Sequence, residues 1–303
     1  MSFSSNVKEE LSKLENLSNK ENVKHELIGY LLSCNTGINK RKIKFSTESE
    51  YNINRLAKLL NNCKILEYKI EVQDKTYVIT FKQKELEESL SEFIAVKEDN
   101  IELAETESQL LQRISKQGES PLKALIRGMF LGAGAINNPE KTNQLSIGVT
   151  QEYTAYKILQ YLEENDIKFK IIKKSDNYHI YTKDGEEISK ALAFIGANKA
   201  VLEFENIRIE REMRNKINRI VNCEEANLNK IMNASIEQIE AINKLKKSKK
   251  FEQLEENLKE VAETRLKNPN ANLAQIGKML KEPIGKSGVN YRLKKIVDLA
   301  KNI

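Results

Sequence analysis

Three cysteines and two histidines are the residues whose chemistry would be sought first in this 303-residue chain. Cys34, Cys63 and Cys223 lie far apart and form no CxxC, so neither a zinc site nor a disulfide framework is indicated. They read as small core hydrophobes. His25 and His179 have no Ser, Cys or carboxylate at a spacing that implies a nucleophile and its base, and both read as packing or surface residues. Gly285-Lys286-Ser287 copies the end of a phosphate loop, but Leu280 stands where the leading glycine belongs and no strand precedes it. Gly132-Ala133-Gly134 lacks the third glycine of a dinucleotide site and closes a helix instead of opening one. None of these motifs implies a cofactor or a metal.

The residues that do form a coherent set lie at the C-terminal end. Leu254–Leu266 is an amphipathic helix stopped by Asn268-Pro269, and Asn272 caps a short helix over Leu273–Leu280 with small residues at Ala274 and Gly277. A turn over Lys281–Lys286, longer than the three or four residues usual in a helix-turn-helix, leads to a third helix capped by Ser287. Val289, Leu293, Ile296, Val297 and Leu299 make its inner face, and Asn290, Tyr291, Arg292, Lys294 and Lys295 are expected on the outer one. Asparagine pairs with adenine and arginine with guanine in the major groove, so Asn290, Tyr291 and Arg292 are candidates to read bases. Lys278, Lys286, Lys294 and Lys295 are candidates to hold phosphates. A protein-binding three-helix bundle is the plainer alternative.

Charge favours the first reading. Residues 244–303 carry fifteen bases against seven acids, a surplus of +8, while the rest of the chain is −2 within a total of +6. A cationic end on a near-neutral body is the footprint of a polyanion-binding module. Apolar content of 40%, charged content of 31% and a mean hydropathy of −0.56 indicate globular domains. No apolar run reaches the length of a membrane span and Met1-Ser2-Phe3 opens no signal peptide. A cytoplasmic, nucleoid-associated protein without a membrane partner is expected, and a monomer.

The elements that must position this tail come in two copies. His25–Asn35 and Lys123–Gly134 are short apolar helices with glycine at corresponding places, Gly29 and Gly128, as expected where two backbones approach closely. After the first come strands at Gly37-Ile38 and Lys42–Thr47, a helix over Tyr51–Leu60, a hairpin of Ile65–Val72 and Thr76–Phe81, and a helix over Glu85–Phe93. After the second come Ala135-Ile136, Gln144–Thr150, Tyr153–Leu162, Lys168–Ile172, Tyr178–Thr182 and Glu186–Phe194. Each half reads αββαββα, giving an α+β, duplicated body with pseudo-two-fold symmetry. The polar stretch 97–120 is read as the connector between halves. Residues 206–250, without proline or glycine, read as one or two linking helices, with the run Lys244–Lys250 as a hydrated hinge. Asn39–Lys44 and Lys170–Lys174 read as basic loops.

The paired helices resemble the LAGLIDADG motif of homing endonucleases, with Leu27–Asn35 and Ile126–Gly134 in register with its nine positions. The resemblance implies an acid at the eighth position of each helix, binding metal between two scissile phosphates. Here those positions hold Cys34 and Ala133. Neither supplies the oxygen ligand a hard divalent cation needs, so the likeness implies the fold without the cleavage. Asn35 stands in place of the usual glycine, and because asparagine tolerates the left-handed conformation little consequence is expected.

Ser2–Leu11, Leu202–Arg208, Arg214–Arg219, Val221–Glu224, Ala226–Lys230 and Lys286–Leu293 together resemble the WhiA family of sporulation and cell-division regulators. That resemblance runs from end to end of the chain. It implies a degenerate LAGLIDADG-like body joined by a helical linker to an all-α helix-turn-helix domain related to sigma-factor region four. The domains are expected as an N-terminal helical segment 1–20, the body 21–205 (repeats about 21–98 and 120–205), the linker 206–250 and the helix-turn-helix domain 251–303. The expected function is a non-catalytic, sequence-specific, double-stranded-DNA-binding transcriptional regulator tied to cell division and chromosome segregation, or to sporulation in some relatives, with the body giving either auxiliary DNA contact or a surface for a partner regulator. An active nuclease or maturase on the same body and an architectural nucleoid protein are the rivals.

Overall fold

The computed structural model describes residues 2–96, 101–103 and 121–301 and falls into two compact units, residues 1–211 and 212–303. The first unit runs α1 (Phe3–Ser12), α2 (Lys20–Leu32), β1 (Thr36–Asn39), β2 (Lys42–Thr47), α3 (Glu50–Asn62), β3 (Tyr68–Gln73), β4 (Thr76–Lys82), α4 (Gln83–Leu90), β5 (Ile94–Val96) and β6 (Ile101–Leu103). The second copy follows as α5 (Pro121–Ala133), β7 (Gly134–Ile136), β8 (Leu145–Val149), α6 (Glu152–Glu164), β9 (Lys170–Lys174), β10 (Asn177–Thr182) and α7 (Gly185–Ile195). Helix α8 (Asn198–Lys247) leads into the second unit. The α+β class and the duplicated αββαββα order are thus as expected.

Glycine decides how the two copies meet. A methyl group on Gly29 would overlap the carbonyl of Leu125, and one on Gly128 the carbonyl of Glu26, so α2 and α5 cross backbone to backbone. Both helices are buried on nearly every side, from Val23 to Leu32 and from Ala124 to Gly132. Their central turns are accordingly mostly apolar, and the polar residues they bury, His25, Glu26 and Arg127, are each hydrogen-bonded.

Each copy lays a four-stranded antiparallel sheet against this pair, in the order β1-β2-β4-β3 and β7-β8-β10-β9. Ile43 pairs with Phe81 and Phe45 with Ile79 in the first sheet, and Ile147 with Ile180 in the second; all are buried. Because side chains alternate along a strand, the intervening residues Lys42, Lys44 and Lys82 face solvent.

Charge is also buried at the seam. The Glu26 carboxylate on α2 accepts from Arg55 Nε at 2.8 Å and from Arg127 Nε at 3.0 Å. Arg55 donates further to the Leu14 carbonyl and Asn16, and Arg127 to the Ile195 carbonyl at 3.1 Å. Arg55 Nη2 also donates to Glu26 Oε2 at 2.9 Å, so the pair is bidentate and the remaining guanidinium contacts end on neutral acceptors.

Several expectations change. The N-terminal helix is not a separate segment, because Phe3, Val7 and Leu11 of α1 belong to the core and Glu10 caps α8 through the Lys199 and Ala200 amides at 2.8 and 3.0 Å. Lys170–Lys174 is strand β9, and Asn39–Lys44 is the β1–β2 hairpin, whose turn residues Lys40 and Arg41 have φ of 48° and 61°. Of the connector 97–120, Ile101–Leu103 pairs with Ile94–Val96 and buries Ile101 and Leu103; the remainder lies outside the described residues. The lysine run is no hinge along its length. Lys244, Lys246 and Lys247 form the last turn of α8, where cations complement the helix dipole, and the chain breaks only at Lys249, φ 60°.

Candidate nucleic-acid interface

After α8 the second unit continues with a 3-10 turn (Lys250–Gln253), α9 (Glu256–Lys267), α10 (Leu273–Lys278) and α11 (Lys286–Lys301). Its core joins Phe251, Leu258, Val261, Ala262, Ile276, Leu280, Val289, Leu293, Ile296 and Val297 to Ala241, Ile242 and Leu245 of α8. The end of the long helix is therefore a wall of this unit, upstream of residue 251.

Two devices set the turn from α9 to α10. Asn272 and Gln275 form a reciprocal cap, the Gln275 N–H donating to Asn272 Oδ1 at 2.9 Å and the Asn272 N–H to Gln275 Oε1 at 2.8 Å. Arg265, buried, donates to the Ala271 carbonyl at 2.6 Å, and burial lowers its guanidinium's affinity for the proton. This internal tie was not legible beforehand, since nothing in the local spacing separates Arg265 from a surface base. The turn from α10 to α11 spans 279–285. A methyl on Gly277 would overlap the Ile284 carbonyl, and the Ile284 N–H donates to the Gly277 carbonyl at 3.2 Å. That close approach holds the longer turn against α10.

Helix α11 begins one residue before the expected cap. Gly285 accepts the first intrahelical bond, from Val289 N–H at 3.2 Å, so Ser287 is a residue of the first turn and not the cap. Val289, Leu293, Ile296, Val297 and Ala300 face inward. Leu299, placed on the inner face from its sequence, is exposed. Ser287, Asn290, Tyr291 and Lys294 lie together on the exposed side, Tyr291 at 69% exposure. Lys286 stands at the start of the same helix and Lys278 in the last turn of α10.

Arg292 and Lys295 do not join that face. Two residues along an α-helix turn by about 200°, so Arg292, half-buried, points to the flank opposite Asn290. Lys295 is ion-paired to Glu255 at 3.0 Å, and the pair lowers the Glu255 carboxyl's pKa through that hydrogen bond first.

In the first unit, Cys34 lies in the turn after α2 and Ala133 closes α5. Ser33 terminates α2, and the Cys34 N–H donates to the Gly148 carbonyl at 3.1 Å; Ala133 is the last residue of α5. Asn35 does not take up a left-handed backbone. Instead its amide donates to the Gly132 carbonyl at 2.8 Å, bridging the seam. Lys8 of α1 is electrostatically coupled to Cys34 and Glu48; burial lowers its ammonium pKa to about 8 against their opposing pull. Burial likewise pushes up the Cys34 thiol. A thiol, a methyl and an ammonium do not fit a hard divalent cation, and no cluster of metal-ligating side chains occurs among the described residues. His25 Nδ1 donates to the Glu21 carbonyl (2.8 Å) and the ring packs edge-on against Phe93, as a packing residue does.

The sequence and fold match known families over most of the chain. The WhiA LAGLIDADG-like domain matches residues 33–113 and 122–214, and the WhiA C-terminal HTH domain matches residues 217–300. The chain belongs to the WhiA family. A WhiA of Clostridium tetani, named "Probable cell division protein WhiA", is 36% identical over 321 residues, covering 100% of this chain and 98% of its own. That of Clostridium acetobutylicum, with the same name, is 36% identical over 316 residues, with the same coverage. The crystal structure of full-length WhiA from T. maritima superposes with a TM-score of 0.58 at 26% identity, covering 100% of this chain and 99% of that one. The three-helix end of this WhiA chain is thus its helix-turn-helix domain, with α11 as the third helix. No helix among the described residues is long and apolar enough to cross a membrane.

Proposed function

We propose that the chain is a non-catalytic, sequence-specific DNA-binding protein that regulates transcription in the service of cell division and chromosome segregation. The observation that carries this reading is the exposed row Ser287, Asn290, Tyr291 and Lys294 on α11, beside Lys278 and Lys286, in a domain of the WhiA HTH family. Such a helix fits the major groove of double-stranded DNA, with Asn290 and Tyr291 toward base edges and the lysines toward phosphates. Arg292 and Lys295 sit on its flank, where a base contact by Arg292 requires rotation of the side chain and Lys295 must exchange Glu255 for a phosphate.

The body contributes no cleavage in this reading, because the positions that correspond to the metal-binding acids hold Cys34 and Ala133. It supplies a surface for a partner regulator or for auxiliary DNA contact, and the protein is nucleoid-associated in the cytoplasm. The names carried by the clostridial relatives support the cell-division role.

Genome-wide occupancy and footprinting test the proposal together. Discrete binding sites that lose definition in Asn290→Ala are expected; a uniform distribution along the chromosome, or an unchanged footprint, would overturn it. Magnesium-dependent nicking of plasmid by purified protein would overturn the non-catalytic assignment.

A further inference from the structure

Between its two ends, α8 carries an apolar stripe that faces water. Met213 and Leu228 are 60% and 61% exposed, and Ile217, Ile220, Val221 and Met232 are exposed beside them. The stripe is periodic: Ile217, Ile220 and Val221 recur eleven residues on as Leu228, Ile231 and Met232, while Met213 is followed at that spacing by Glu224. An 11-residue apolar repeat keeps one face in line along a nearly straight helix, the pattern of a helix that packs lengthwise on another. A contiguous exposed patch of this kind marks an interaction surface.

The charges beside the stripe identify the partner. At about 100° per residue, Arg214 and Glu225 fall on the same flank of the stripe. Antiparallel pairing about a two-fold axis keeps each flank facing its own copy. With the axis between Ile220 and Val221, Met213 meets Leu228 of the second copy and Arg214 comes beside the second copy's Glu225. A parallel pair would instead set that flank against the opposite one, which carries Lys216, and would part Arg214 from Glu225.

We propose that α8 is a dimerisation helix, through which two copies of this chain associate antiparallel along Met213–Met232. This replaces the monomer expected from the residues alone, and it is independent of the DNA-binding reading.

Light scattering and sedimentation equilibrium of the full chain are the test. The mass is expected to rise from 34.8 kDa toward twice that value with concentration. Arg214→Glu and Glu225→Arg each place like charges together twice per dimer and are expected to weaken association about tenfold. The double variant R214E/E225R restores the pairing in the antiparallel dimer and is expected to return to within about threefold of the parent. All substituted positions are exposed, so circular dichroism is expected to be unchanged. A mass of 34.8 kDa at every concentration would overturn the proposal. So would a double variant as weak as the singles, which would mean that a parallel pair or some other surface is responsible.

Discussion

Glu26 and Arg127 meet across the central helix seam, the carboxylate Oε2 3.0 Å from Nε, although 101 positions separate them in the chain. The same carboxylate holds Arg55, and all three side chains are sealed from water. An ion cluster in this position joins the two repeats to each other and, through Leu14 and Asn16, to the segment after α1.

Removing the shared acid leaves two guanidinium groups buried without a counter-charge. Glu26→Ala is therefore expected to destabilise the N-terminal unit by about 3–5 kcal/mol. Urea denaturation followed by circular dichroism measures it; a loss of less than about 1 kcal/mol would show that water reaches the site.

Lys8 gives a pH dependence of definite sign. Its folded pKa of about 8 lies below the ordinary 10.5, so between those values the unfolded chain binds the proton and the native chain does not. Stability contributed by this group therefore rises with pH across about 8 to 10.5, and is at its poorest below that window. Lys8→Met is expected to be more stable than the parent at pH 7, and the difference to narrow toward pH 10. Cys34 titrates nearby with the opposite slope, so the comparison is made between parent and variant at each pH.

The exposed row on α11 separates base readers from phosphate holders. Asn290→Ala is expected to cut discrimination between operator and mismatched DNA by about 1–3 kcal/mol. Lys294→Ala is expected to weaken all sequences alike and to lower the salt slope by about one. Arg292→Ala, on the opposite flank, is expected to affect discrimination less than Asn290→Ala. Fluorescence anisotropy at several salt concentrations distinguishes the three, and equal losses of discrimination would mean that the helix lies differently in the groove.

Thiol reactivity follows burial. Cys223 is exposed, while burial raises the Cys34 thiol and pushes Cys63 up to about 11. Because the thiolate is the nucleophile, Cys223 is expected to react with a thiol reagent first and the other two slowly until the chain unfolds. Mass mapping after timed alkylation checks the order.

Local pattern alone determined most of the elements. Apolar helices centred on Gly29 and Gly128, alternating strands after each and a cationic three-helix end all follow from short-range periodicity, and the structure places them within a few residues of those expectations. Even the flank position of Arg292 was implicit in its two-residue spacing from Asn290, because helical geometry is local. What no local pattern decides is which distant group a charged side chain meets. Glu26, Arg55, Arg127 and Arg265 look like surface residues until the fold brings them to buried partners, and Lys8 comes beside Cys34 only because α1 docks on the body. Burial and pairing are properties of the assembled chain: the solvent a side chain loses, and the counter-charge it gains, come from residues far away in sequence.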